Sequence, residues 1–142
     1  MKGSGRLESE GNKPIVVLDI DISTPIDVKK AIEQLGGMPM MFYMMLEKFE
    51  DMTLMSEMEK LAKAYDDKDF YWMKEHAHSI KGAAGYICAS KLHYACYFIQ
   101  EHHHFDRLKE QMEYYPTLLE AAVEFRVFSR QILAEFHSKF LL

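Results

Sequence analysis

The chain has 142 residues, a formal net charge of −5 at pH 7 and a sequence pI near 5.8. This length suffices for one domain with a hydrophobic core, and an acidic balance without a basic block argues against a nucleic-acid-binding protein. No apolar run reaches the roughly 18 residues that span a bilayer, so we expect no membrane segment and a soluble protein.

The N-terminal part of the chain divides into two segments. Residues 1–13 are small, polar and glycine-rich, and we expect a flexible leader or an expression scar, followed by a single domain over 14–142. The stretch PIVVLDIDI (Pro14–Ile22) alternates partly like a β-strand. No second strand is evident to pair with it, so we predict an extended segment packed on the rest of the domain.

The stretch TPIDVKKAIEQLGG predicts a short first helix. Thr24 is the expected N-cap, Pro25 suits the first helical position, and Gly36 with Gly37 ends the helix. From about Met38 to Tyr65, apolar residues then recur every three or four positions, which predicts one long amphipathic helix. Its predicted core stripe is Phe42, Met45, Phe49, Met52, Met55, Met58, Leu61 and Tyr65. We expect the eleven methionines of the chain to serve mainly in core packing.

Three further helices follow. The acidic turn Asp66–Asp69 supplies an N-cap for the third helix, another helix runs from about Ser90 to His103, and the last begins near Asp106 with a kink or restart at Pro116. Together these elements predict an all-α fold, an up-and-down antiparallel four-helix bundle with a short extra N-terminal helix.

The stretch HAHSIKGAAGYICA contains two glycines within a predicted helix, although each weakens a helix interior by about 1 kcal/mol. At 100° per residue, the apolar stripe of this helix lies opposite His78, whereas Lys81 and Gly82 lie within about 60° of His78 and Gly85 within about 20°. We therefore predict an exposed imidazole with a clearing beside it, and a cation that can neutralise an anion held there. The alternative is that the glycines mark close packing between helices.

The same helix face carries Tyr71, Lys74 and Glu75. Tyr71 and Lys74 are candidate docking contacts for a partner, or simply solvated side chains. Glu75 could orient the His78 ring, or remain a solvated carboxylate. His76 lies on a different face from Lys81 and Gly82, so it is not the candidate nucleophile.

The stretch AHSIKGAAGYICA resembles the signature of histidine-containing phosphotransfer (HPt) domains, H-x-[IL]-K-G followed by small residues. The similarity extends from about Ile20 to Ile99. It implies that His78 is the phosphoacceptor, that Lys81 assists at the phosphoryl group and that Gly82 provides clearance for the partner. One departure is Cys88, at a position where the family usually has glycine, and we expect altered packing there.

The resemblance also implies the partners. A monomeric phosphocarrier of this kind, which is not itself an enzyme, exchanges phosphoryl groups with response-regulator receiver domains downstream of a sensor or hybrid histidine kinase. It implies no cofactor for this chain, because the receiver brings the aspartyl phosphate and the Mg²⁺. Cys88 and Cys96 fit neither a redox pair nor a zinc site, so we expect reduced thiols in a cytoplasmic protein and no bound metal.

Two other functions compete with phosphotransfer. Glu75 with His78, and Glu101 with His104, have the Glu-x-x-His spacing found in di-metal carboxylate enzymes built on four-helix bundles. Such ligands must point into the bundle, and the helical-wheel position of His78 argues against this. The second alternative is an HPt-like scaffold that has lost phosphotransfer.

Overall fold

The computed structural model describes residues 5–7, 15–17 and 23–140. Strands β1 (Gly5–Leu7) and β2 (Ile15–Val17) pair in antiparallel register, with Arg6 opposite Val16. The prediction that the strand-like segment has no partner is therefore wrong at Ile15–Val17. The partner strand is too short to show an alternating pattern, which is why the sequence did not reveal it. The rest of the predicted leader, and Pro14 with residues 18–22, lie outside the described residues.

The helical elements confirm the predicted all-α fold. They are α1 (Val28–Gln34), α2 (Pro39–Lys48), a π-helical turn (Phe49–Leu54), α3 (Met55–Asp66), α4 (Phe70–Tyr86), α5 (Ser90–His104) and α6 (Leu108–Phe140). The backbone stays helical through both ends of the π-helical turn, so α2, the turn and α3 form one rod. This rod and the three following helices are the four members of the bundle, packed on one another in chain order, and α1 is the extra helix. No helix in the described ranges is long and apolar enough to cross a membrane.

The helix ends follow local capping chemistry. Asp27, not Thr24, caps α1, because the Asp27 carboxylate accepts a hydrogen bond from the Lys30 amide at 3.1 Å. Gly36 and Gly37 have φ of 85° and 77°, so they end α1 as predicted. Pro116 lies inside the continuous helix α6 and does not mark a restart.

The π-helical turn changes which residues of the rod are buried. Its hydrogen bonds close i→i+5 loops, so residues beyond it are rotated by about 100° relative to an uninterrupted α-helix. Met52 of the predicted core stripe is consequently exposed, while Glu50 and Leu54 are buried. Met55 of that stripe is exposed as well. The prediction that methionines serve mainly in the core is also wrong. Of the ten methionines among the described residues, six are exposed, namely Met38, Met40, Met41, Met44, Met52 and Met55.

The turn between α4 and α5 contains Cys88, which has a φ of 54° in the left-handed region that favours glycine. The Cys88 side chain is buried, and its Sγ lies 3.2 Å from Oε1 of Gln34, the last residue of α1. The Cys88 carbonyl accepts a hydrogen bond from the amide of Asp27, the N-cap of α1, at 3.1 Å. Cys88 therefore connects the turn to both ends of α1.

Candidate functional site

Helix α4 presents His78 to solvent. The helix begins after Asp69, whose carboxylate accepts a hydrogen bond from the Trp72 amide at 3.2 Å. Its apolar face is buried against the bundle through Met73, Ala77, Ile80 and Ala84. His78 lies on the opposite face and is exposed, as the helical wheel predicts.

The His78 ring is held from α5. Gln100 Nε2 lies 2.9 Å from His78 Nδ1. An amide can serve either protonation state of Nδ1, because its nitrogen donates to the lone pair and, after a 180° turn, its oxygen accepts from Nδ1–H. Nε2 is the ring nitrogen without a hydrogen-bonding partner among the described residues, so it is the atom available for chemistry.

Lys81 lies one turn beyond His78 and is half-buried. Its Nζ is 5.9 Å from the centroid of the Tyr97 ring on α5, within the range of a cation–π interaction. No carboxylate in the described part of the chain lies within 4.0 Å of Lys81 Nζ, so no nearby ion pair neutralises the ammonium.

The two glycines of the motif have different surroundings. A Cβ placed on Gly82 would meet no described atom within 4 Å, so the space beside the imidazole is open. A Cβ on Gly85 would lie 3.3 Å from Nδ1 of His93. Gly82 therefore corresponds to the predicted clearing. At Gly85 the helices α4 and α5 pack closely, which was the alternative explanation for the glycines.

His93 and Gly85 belong to one continuous seam between α4 and α5. His93 Nδ1–H donates a hydrogen bond of 2.9 Å to the Lys81 carbonyl, which fixes the main chain of that turn. The seam follows a single antiparallel register, in which each step along α4 is matched by an equal step back along α5. The facing pairs are His78 with Gln100, Lys81 with Tyr97, and Gly85 with His93.

The N-terminal part of the same face holds the other predicted docking residues. Lys74 Nζ lies 4.5 Å from the centroid of the exposed Tyr71 ring and 2.9 Å from Glu75 Oε2. The hydrogen bond from Lys74 lowers the pKa of the Glu75 carboxyl, and the charges of Lys74 and His78 act in the same direction. The structure thus brings Tyr71, Lys74 and Glu75 into one cluster, in which the Glu75 carboxylate pairs with Lys74.

His76 has a different environment from His78. Its Nδ1 lies 2.8 Å from Glu57 Oε1 on α3, and its ring lies 5.5 Å from that of Trp72. With only 17% of its side chain exposed, His76 connects α3 and α4 and does not face solvent as His78 does.

The ligand set of a di-metal centre is missing from the described residues. Within ranges 5–7, 15–17 and 23–140, no three His, Cys, Asp or Glu side chains are grouped closely enough to hold a metal ion. His78 points away from the bundle interior, whereas a ligand of a di-metal centre would have to point into the interior. Burial lowers the pKa of His102, the first residue of the His102–His104 run.

Comparison with known families agrees with this geometry. The family model described as Hpt domain matches residues 44–128, which is more than half of the chain and includes His78, Lys81 and Gln100. The chain belongs to the HPt family. HPt domains are phosphocarrier modules that take part in histidine phosphotransfer in phosphorelays, and they interact with receiver domains and kinases of two-component systems. Neither curated proteins nor solved structures give a significant match.

Three residues of the candidate site were not singled out from the sequence. They are His93, Tyr97 and Gln100 on α5. Their spacing of four and then three residues places them on one helix face, so the pattern was present in the sequence. What the sequence did not provide was the rotation of α5 that turns this face toward α4.

Proposed function

We propose that this HPt domain carries a phosphoryl group between two receiver domains, accepting it on His78 from an aspartyl phosphate and passing it to a second aspartate. The observation that supports this most directly is the exposed imidazole with Nδ1 held by Gln100 at 2.9 Å, next to open space at Gly82. A ring fixed at one nitrogen and accessible at the other suits a nucleophile that must meet another protein.

In the accepting direction, the Nε2 lone pair of His78 attacks phosphorus. The N–P bond forms while the P–O bond to the aspartate breaks, and the aspartate leaves as a carboxylate. Attack by Nε2 requires the ring proton on Nδ1, and the Gln100 amide oxygen can accept a hydrogen bond from Nδ1–H once the amide has turned by 180°. Gln100 can thus form a hydrogen bond with the reactive tautomer, and the reverse transfer regenerates that tautomer.

Lys81 supplies positive charge next to the ring. Phosphoryl transfer depends mainly on positioning and on stabilising the charge of the equatorial oxygens, and an ammonium without a paired carboxylate can contribute to both. The receiver supplies the acidic residues and the Mg²⁺, and no step in this chain needs a cofactor of its own.

Docking uses the face around His78. Gly82 lets the receiver backbone approach, and Gly85 extends the surface without side chains by one helical turn. The cluster of Tyr71, Lys74 and Glu75 contacts the partner at the other end of this face. The interface is transient and modest, on the order of 1,200 Å² or less in total. The cytoplasmic location and the monomeric state expected from the sequence stay predictions.

The test is incubation with a panel of phosphorylated receiver domains. We expect an acid-labile label on the wild-type protein, its loss in His78→Gln, and its retention in the matched control His76→Gln. Labelled protein should also return the phosphoryl group to an unphosphorylated receiver. Normal labelling of His78→Gln would contradict the assignment, and a wild-type protein inert toward every receiver would favour the scaffold alternative.

A further inference from the structure

Lys81 is held at two points by α5. Its main-chain carbonyl accepts the His93 Nδ1–H bond at 2.9 Å, and its ammonium lies 5.9 Å from the centre of the Tyr97 ring. Since a lysine side chain has several freely rotating bonds, the main-chain contact alone does not determine where the ammonium lies. The ring is the contact that acts on the charged end.

An aromatic ring differs from a carboxylate as a partner for this ammonium. Either attracts the cation, but a carboxylate would cancel its charge and repel an incoming phosphoryl group. The negative face of an aromatic ring attracts the cation without carrying net charge. Burial, with a smaller contribution from Glu101, raises the pKa of Tyr97, so the phenol stays neutral and adds no negative charge.

We propose that Tyr97 is a positioning residue, which holds the Lys81 ammonium beside His78 through the face of its ring. The inference rests on His78 being the phosphoacceptor, as in the proposed function. The register of the seam supports it, because Gln100 and Tyr97 lie three residues apart on α5 and contact residues three apart on α4. One face of α5 therefore orients both the nucleophile and the cation.

Phosphoramidate is the donor for the test, since a small donor separates the chemistry from receiver docking. The N–P bond to His78 forms as the P–N bond of phosphoramidate breaks, and ammonia leaves with the proton that the ring gives up. Tyr97→Leu removes the ring and Tyr97→Phe keeps it, and each is measured with Lys81 present and in the Lys81→Met background. Tyr97→Met provides the same comparison if the leucine variant does not fold.

We expect Tyr97→Leu to slow labelling about two- to fivefold and Tyr97→Phe to retain the wild-type rate. In the Lys81→Met background, Tyr97→Leu should cause no further loss. NMR should show the Lys81 Cε protons shifted upfield by the ring in the wild type and in Tyr97→Phe, but not in Tyr97→Leu.

Two results would overturn the inference. One is an equal loss of rate on Tyr97→Leu with and without Lys81, which indicates a structural effect. The other is the lack of a ring-current shift at Lys81 in the wild type. Failure of the proposed function gives a different result. In that case the Tyr97 and Lys81 variants still show the expected phosphoramidate rates at His78, but the labelled protein exchanges its phosphoryl group with no receiver.

Discussion

Gly82 offers the most discriminating test of how a partner reaches His78, because stability and transfer should change in opposite directions. A Cβ at this position would have open space, with no packed neighbour within 4 Å, so alanine fits without a clash in the free protein. Replacing glycine by alanine in an exposed helix interior stabilises the fold by about 1 kcal/mol. For a domain of this size, that raises the midpoint of thermal unfolding by about 4 °C.

Transfer from a receiver should respond in the other direction. Gly82→Gln places a long side chain in the clearing, and a displacement of reacting groups by about 1 Å costs roughly a hundredfold in rate. The assay measures unfolding by circular dichroism, labelling of His78 by a phosphorylated receiver, and labelling by phosphoramidate. We expect the Gln variant to lose receiver transfer, to keep the phosphoramidate rate, and to be at least as stable as the wild type.

Gly85→Ala is the matched control. Its Cβ would lie 3.3 Å from His93 Nδ1, so the imidazole must move and the gain in helix propensity is offset. Receiver transfer by Gly82→Gln at the wild-type rate would refute the reasoning, because the clearing would then not lie on the path of the partner.

Three further predictions concern single residues. Gln100→Leu should slow phosphoramidate labelling about two- to tenfold through loss of one hydrogen bond, while Gln100→Glu, which can still accept from Nδ1–H, should be slowed less. Cys88→Gly should be more stable than Cys88→Ala by about 1 kcal/mol in urea unfolding, because only the alanine keeps a Cβ in the left-handed backbone conformation; equal stability would contradict this. Burial lowers the pKa of His102, so the folded state binds this proton less readily than the unfolded chain, and His102 should cost stability as the pH falls below its unfolded value of 6.5. The unfolding free energy of His102→Gln should therefore fall less than that of the wild type between pH 7.5 and about 5, and parallel pH profiles would exclude the effect.

The sequence by itself determined the bundle and the outward face of α4. Helical periodicity is a local property, so the long amphipathic segments, the Gly36–Gly37 stop and the exposure of His78 could all be predicted from spacing. The π-helical turn shows the limit of this reasoning. This one widened turn moves Met52 out of the core and Glu50 into the core. No residue in the sequence pattern predicts the turn.

Only the tertiary structure decided how α5 completes the site. The sequence gives no sign that three residues of α5 belong to the site. The rotation of α5 about its axis places them opposite α4, where Gln100 faces His78, Tyr97 faces Lys81 and His93 faces Gly85. That rotation results from packing two apolar stripes against each other across a close seam, which depends on side chains far apart in the chain. Sequence spacing could therefore identify the nucleophile, while the groups that orient it became visible only when the two helices were packed.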